Sequence, residues 1–205
     1  MKVERKSDHP VGDAACKAST GRTLAEWFKL LDRHGGIEAG RRELGRWLVN
    51  DRKVDPWWSA TLINEFEIAR GALEKDGRPR GYTICATKSI KADAAACYAA
   101  FATARALDAW YGKNNDLRLV EGGTWRNADG NRATIRKVNA NKSIRLIADD
   151  AGLTTPAPME IKFAPSGAKC CVMVTIERLQ TRAEADGLRR AWGEALERLK
   201  AMLEG

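Results

Sequence analysis

The chain has 205 residues, of which 44% are hydrophobic and 30% charged, with a formal net charge of +8. This length can bury the core of one large domain or two small ones, and the composition excludes a disordered chain. No apolar run approaches the ~20 residues that span a bilayer, and charges stand among residues 1–9, where a secretory signal needs an apolar stretch. We therefore predict a cytoplasmic protein with no membrane segment.

Residues 1–22 lack apolar periodicity, which predicts a flexible leader. The capping box Thr23-Leu24-Ala25-Glu26 then opens a first helix. Its apolar stripe stops at Gly35-Gly36, where the glycines can end the helix.

Two more helices are expected before the first domain ends. A second apolar stripe runs from about Glu38 to Asn50, and Asp55-Pro56 opens a third helix with an N-cap aspartate and a first-turn proline. Residues 23–75 are therefore predicted to form a three-helix bundle. Residues 76–81, rich in Gly, Pro and charge, are predicted to be the linker to a second domain at 82–205.

The second domain is predicted to consist of strands, two short helices and one long helix. Period-two alternation begins at Tyr82, and two short helices follow, carrying Phe101 and Leu107. A second capping box, Thr181-Arg182-Ala183-Glu184, opens a long amphipathic C-terminal helix. The predicted strands are 82–90, 117–121, 124–126, 132–138, 143–148, 159–163 and 169–179. The fold class is therefore α+β, with a curved antiparallel sheet of about seven strands that holds the long helix.

Residues 81–205 resemble the START-like helix-grip (SRPBCC) superfamily, in the branch of polyketide cyclases and chaperone-ATPase activators. The resemblance lies in Ser89-Ile90-Lys91-Ala92, Tyr98–Phe101, Ala106–Gly112, Gly122–Arg126 and the C-terminal Gly187–Leu199. It implies a cavity between sheet and long helix. The superfamily contains lipid carriers, hydrolases, cyclases and chaperone partners, so the fold alone does not assign a function.

Residues 23–73 resemble a small bacterial helical domain of unknown function. The resemblance lies in Thr23–Leu31, Asp55-Pro56-Trp57-Trp58 and Ala69-Arg70-Gly71. It implies a domain boundary and no activity.

The implied cavity would be lined by apolar side chains of the sheet, the short helices and the long helix. The predicted lining is Phe101, Leu107, Trp110, Tyr111, Trp125, Ile135, Leu146, Met159, Ile161, Met173, Leu188, Trp192 and Leu196. The same residues could instead fill the space as a solid core, because protein interiors pack densely.

Catalytic groups are scarce in this sequence. The only histidines are His9 and His34, and the five cysteines include no Cys-x-x-Cys pair. We assign no catalytic residue, no metal ligand and no cofactor. The polar side chains that could face inward are Tyr111, Glu121, Arg136, Glu160, Thr175 and Glu177, of which alternation assigns Glu160 to solvent. Cys170 and Cys171, adjacent in one strand, are predicted to point to opposite faces as ordinary packing residues.

The predicted function is therefore non-enzymatic binding, of an apolar small molecule in the cavity or of a protein partner, which includes a second copy of the chain. One alternative is a hydrolase or cyclase acting in the cavity. Another is nucleic-acid binding by the second and third helices, with Arg41, Arg42, Arg46, Arg52 and Lys53 against phosphates. Acidic residues on the third helix, Glu65, Glu67 and Glu74, oppose that alternative. Trp57, next to Trp58, would mark a contact surface or seal the boundary between the domains.

Overall fold

A computed structural model describes residues 1–7, 9 and 11–205. Asp8 and Pro10, which belong to the predicted leader, lie outside the described residues. The chain forms two compact units. The grip unit contains Met1–Ser7 and Thr83–Gly205, and the helical unit contains Asp8–Tyr82. No helix in the described part of the chain is both long enough and apolar enough to cross a bilayer.

The helical unit contains the predicted helices and one more. Its helices are α1 (Asp13–Thr20), α2 (Leu24–Arg33), α3 (Gly40–Arg46) and α4 (Pro56–Ala69), with a 3-10 turn at Gly36–Ala39 and a π turn at Trp47–Asp51. Helix α1 was not predicted, because Cys16 is its only buried residue and the helix has no apolar stripe.

Both N-terminal signals of the helical unit have the expected geometry. The Thr23 hydroxyl accepts from the Glu26 amide at 3.2 Å, and the Glu26 carboxylate accepts from the Thr23 amide at 2.8 Å. The Asp55 carboxylate accepts from the amides of Trp57 and Trp58 at 2.9 and 3.1 Å. These bonds satisfy amides that the first helical turn leaves free, and so fix where α2 and α4 begin.

A buried carboxylate holds the end of the helical unit in place. Glu67 in α4 accepts from Arg41 at 2.7 Å and from Arg80 at 2.7 Å. Helix α4 ends at Ala69, shortly before Gly71, whose φ of +61° favours glycine.

The grip unit is built on a seven-stranded sheet of order β1-β7-β6-β5-β4-β3-β2. Its strands are β1 (Tyr82–Ile90), β2 (Asp116–Leu117), β3 (Thr124–Arg126), β4 (Arg132–Asn139), β5 (Ser143–Ala148), β6 (Ala157–Ser166) and β7 (Lys169–Leu179). Each pair of neighbours from β2 to β7 is antiparallel. The helices are α5 (Ala94–Ala102), α6 (Ala104–Asp108) and α7 (Arg182–Glu204). The predicted α+β helix-grip architecture is confirmed.

One predicted strand is much shorter than expected. The segment 117–121 contributes only Leu117 to a strand, and the chain then turns. Gly122 has a φ of +75°, and a Cβ on Gly123 would lie 2.0 Å from the carbonyl oxygen of Arg118. The two glycines therefore build a tight turn where apolar alternation predicted a strand.

Candidate functional site

Helix α7 packs against the sheet, and the space between them is the candidate site. Its start is fixed by the predicted capping box, in which the Thr181 hydroxyl accepts from the Glu184 amide at 3.1 Å. The buried Glu184 carboxylate accepts in turn from the amides of Gln180 and Thr154. Because Thr154 belongs to the loop before β6, these bonds tie that loop to the first turn of α7.

Every residue predicted to line the grip, except Met173, is buried. Those around the remaining cavity are Tyr111, Trp125, Leu146, Met159, Leu188 and Trp192. The others, Phe101, Leu107, Trp110, Ile135, Ile161 and Leu196, lie in the buried core. Contact of any of them with a ligand stays a prediction.

Met173 lies on the opposite face of the sheet. In β7 the buried side chains include Val172, Val174 and Ile176, and Met173 is half-buried opposite Lys162 of β6. Side chains alternate along a strand, so a shift of one residue exchanges its two faces. Apolar residues occur on both faces of β7, so alternation along the sequence did not show which face is the inner one. The prediction that Met173 faces the interior was wrong for this reason.

Several residues that line the cavity were not predicted from the sequence. They are Asn131, Arg132, Ala133, Ala148, Asp150, Leu153 and Ile176. Ala133 shares the face of Ile135, and Ala148 that of Leu146, so strand alternation could have found both. Asn131 and Asp150 lie just outside β4 and β5, where no periodic signal applies.

Aromatic rings fill most of the grip. The Tyr111 ring lies 4.6 Å from Trp125 and 5.2 Å from Trp192, centroid to centroid. The Trp110 ring lies 5.5 Å from that of Tyr111. The cavity beside these rings is partly open and has a volume of about 10 Å³, which is about the space that one water molecule needs. In this conformation the grip is therefore a nearly solid core.

One end of this cavity is polar. The Asp150 carboxylate, 8% exposed, accepts from the Arg132 amide at 2.7 Å and from the Asn131 side chain at 3.3 Å. Burial raises the pKa of Asp150, although both of these hydrogen bonds act in the opposite direction. Burial also raises the pKa of Tyr111, which lines the same cavity, well above its usual value. Among the residues that line this cavity, Asp150 thus supplies a buried carboxyl group, at the edge of a space too small for a substrate.

Tyr111 is the one predicted polar candidate that the structure places inside the grip. Glu121 is exposed in the turn after β2, and Glu177 is exposed on the outer face of β7. Arg136, Glu160 and Thr175 line an open groove on that outer face, together with Glu177. No group of three or more His, Cys, Asp or Glu side chains is placed to hold a metal ion within the described ranges.

This groove, which we call the outer groove, has a volume of about 330 Å³. Its lining includes Ile147 and Pro158, with charged groups around them. Glu160 accepts from Arg145 at 2.8 Å and lies 3.0 Å from the Lys162 ammonium. Burial alone would raise the pKa of Glu160, but these two basic groups outweigh it and lower that pKa. Two of the charged groups beside the apolar floor, Arg145 and Glu160, are therefore paired with each other.

The two adjacent cysteines differ in exposure, as strand alternation predicts. Cys170 is fully buried and Cys171 is half-buried, and both are free thiols. Burial raises the pKa of Cys97, whose thiol hydrogen bonds with Cys170, to about 12. Cys97 therefore stays protonated near neutral pH and acts as a small packing residue.

In the helical unit, several of the arginines considered for phosphate contacts already have partners. Arg41 is paired with Glu67, Arg46 with Glu43, and Arg52 lies over the Trp47 ring at 4.7 Å. Phosphate contacts would have to compete with these pairs. Nucleic-acid binding stays an untested alternative.

Trp57 is half-buried, and its ring lies 5.0 Å from that of Trp58 in an edge-to-face arrangement. Both indoles line an open pocket of the helical unit, of about 340 Å³.

Comparison with protein families gives a match to the family described as Activator of Hsp90 ATPase homolog 1-like protein, over residues 91–204. This segment runs from the end of β1 to the end of α7, and so contains nearly all of the predicted helix-grip domain. Comparison with curated proteins gives no match.

Solved structures confirm the fold of this segment. The solution structure of CalU16 from Micromonospora echinospora is 14% identical, covers 65% of this chain and 70% of its own, and has a TM-score of 0.57. The Aha1 dimer from Colwellia psychrerythraea is 21% identical, with 60% and 96% covered and a TM-score of 0.54. PFC0360w, an HSP90 activator from Plasmodium falciparum, is 12% identical, with 60% and 97% covered and a TM-score of 0.52.

Proposed function

Because the chain belongs to the family of Activator of Hsp90 ATPase homolog 1-like proteins, we propose that it is a non-enzymatic binding protein that acts on another protein. The observation that carries this proposal is the filled grip, whose remaining cavity of about 10 Å³ holds no more than a water molecule. Since the grip has no room for a ligand in this conformation, the surface of the chain is where we expect binding.

The partner that we propose is a chaperone ATPase of the Hsp90 type. The description of the family and that of the Plasmodium falciparum protein both refer to this chaperone. The chain shares the helix-grip fold with these proteins, which supports the proposal. A shared fold does not by itself assign a partner.

The outer groove is the surface that we propose for the partner. An apolar centre within a polar rim is the usual arrangement of a protein interface. Ile147 and Pro158 supply such a centre, and Arg136 and Glu177 belong to the rim. The Arg145–Glu160 pair would contribute to partner selection more than to affinity, because rim charges mainly control specificity and association rate.

The ATPase rate of a purified Hsp90-type chaperone tests this function. We expect the rate to rise with added protein and to saturate. The Ile147→Glu variant should raise the concentration for half-maximal activation about tenfold, because it places a charge in the apolar centre of the interface. An unchanged ATPase rate across a titration to excess would contradict the proposal.

The matched control is Val120→Glu. Val120 is also an apolar residue of the grip unit, 47% exposed, in the turn that precedes β3 and outside the outer groove. This variant should activate the chaperone as the parent protein does. Equal weakening by both variants would show that the outer groove is not the binding surface.

A second candidate function is binding of an apolar small molecule in the grip. It is favoured by the arrangement of the remaining cavity, where the Asp150 carboxyl and the Asn131 amide meet apolar walls such as Met159. Apolar walls with a few polar groups at one end are typical of ligand pockets. This function requires the aromatic side chains to move apart, because the present cavity is too small.

A further inference from the structure

The first seven residues lie along the grip unit, and we call Met1–Ser7 the strap. They cluster with Thr83–Gly205 and not with the helical unit that follows them in the sequence. The strap is neither helix nor strand. Its position therefore depends on the contacts that it makes with the grip unit.

On one side the strap runs over helix α7. The Arg190 guanidinium donates to the carbonyl oxygens of Glu4 and Lys6 at 3.3 and 3.1 Å. The Ser7 hydroxyl donates to the Asp186 carboxylate at 2.6 Å. The strap lies so close to α7 that a Cβ on Gly187 would be 2.4 Å from the Glu4 oxygen. Only glycine at position 187 allows this approach.

On the other side the strap reaches the polar end of the cavity. The nitrogen of Met1 lies 2.7 Å from the side-chain oxygen of Asn131, which lines the cavity. The Arg5 guanidinium lies over Gly152, where a Cβ would be 2.9 Å from its Nη1. Its charge also acts on Asp150, whose pKa burial raises and Arg5 lowers.

These contacts converge on one end of the grip. Asn131, Asp150 and Leu188 all line the remaining cavity. The strap contacts Asn131 through Met1, and the charge of Arg5 acts on Asp150. Its Glu4 backbone covers Gly187, which is next to Leu188. From this geometry we propose that the strap closes the polar end of the grip, and that its release admits a small molecule with an apolar body and a hydrogen-bonding head.

The strap is suited to release because few apolar contacts hold it. Met1 is its one fully buried residue among those described, and the Met1 nitrogen is paired with the Asp129 carboxylate at 2.7 Å. The contacts that the strap makes with α7 are hydrogen bonds that water can replace. The Arg5 Nε is buried and has no hydrogen-bond partner within the described part of the chain. A buried donor without a partner costs free energy, which release of the strap would recover.

The proposal goes beyond partner binding, since it concerns access to the interior of the grip. Two glycine variants of α7 test it. Gly187→Ala adds a methyl group that collides with the backbone of Glu4 and Arg5. The helix itself benefits, because alanine is a better helix former than glycine. The control is Gly193→Ala in the same helix, where a Cβ meets nothing within 4 Å.

The first readout is trypsin cleavage within the strap, at Lys2, Arg5 or Lys6, which follows the population of the released strap. We expect cleavage about tenfold faster in Gly187→Ala than in Gly193→Ala. The second readout is the fluorescence of Nile red, a neutral apolar dye. We expect this fluorescence to rise when the dye is added to Gly187→Ala and to stay unchanged with the Gly193→Ala control. Arg190→Ala, which removes both strap carbonyl bonds, should shift both readouts in the same direction.

Equal cleavage of the two glycine variants would overturn the strap's docked position. Faster cleavage without dye binding would overturn its role as a closure. Both results leave the chaperone ATPase assay unaffected, so this inference and the proposed function can fail separately.

Discussion

The Trp192→Ala variant should lose about 3–5 kcal/mol of unfolding free energy, the range observed when a buried large aromatic side chain is truncated. Trp192 is 1% exposed, and its ring lies 5.2 Å from that of Tyr111 in the middle of the grip. Because the surrounding core is nearly solid, it can collapse only in part around the missing indole. Urea unfolding of the purified variant, followed by circular dichroism, measures the loss.

The matched control for this loss is Met202→Ala. Met202 lies on the same helix, α7, and is 38% exposed. Its truncation should change the unfolding free energy by no more than ~0.5 kcal/mol. A Trp192→Ala loss as small as that of the control would mean that α7 is not packed into the sheet.

The second large effect is expected in the helical unit, where replacing both Arg41 and Arg80 by methionine should cost about 3–5 kcal/mol. The two arginines are the ion-pair partners of Glu67, whose side chain is 2% exposed. Their removal leaves a buried carboxylate without a compensating charge. Thermal or urea unfolding of the full chain, followed by tryptophan fluorescence, measures the cost.

A third substitution separates this mechanism from lost packing. Adding Glu67→Leu to the double variant removes the unpaired charge and should restore most of the lost free energy. The control pair is Arg46–Glu43, whose side chains are 54% and 48% exposed. Arg46→Met should cost less than ~1 kcal/mol. If the triple variant is no more stable than the double, the loss does not come from the buried charge.

The parts of the fold that the sequence predicted best are those with local signals. Helix α7 begins at the capping box of Thr181 and Glu184, and its apolar stripe is the buried face. Asp55 is the N-cap of α4, as its place before Pro56 predicted. Such signals depend on residues three or four positions apart, so a single sequence contains them in full.

The parts that could not be predicted depend on residues far apart in the chain. Asn131 and Asp150 meet at the polar end of the cavity although 19 positions separate them. Ser7 bonds to Asp186 across 179 positions, so no local pattern could place the strap. The error for Met173 has a different cause. Both faces of β7 have apolar side chains, so the sequence pattern did not show which face is buried.

The two proposed functions differ in what the grip contains when the protein is isolated from cells. Partner binding at the outer groove needs no space in the grip, so it is compatible with a cavity of about 10 Å³. Binding of a small molecule requires an open grip.

Native mass spectrometry of the intact protein, purified without detergent or organic solvent, tests the closed grip most directly. The account predicts the mass of the polypeptide alone. A small molecule of several hundred daltons retained at one copy per chain, and released on denaturation, would contradict it.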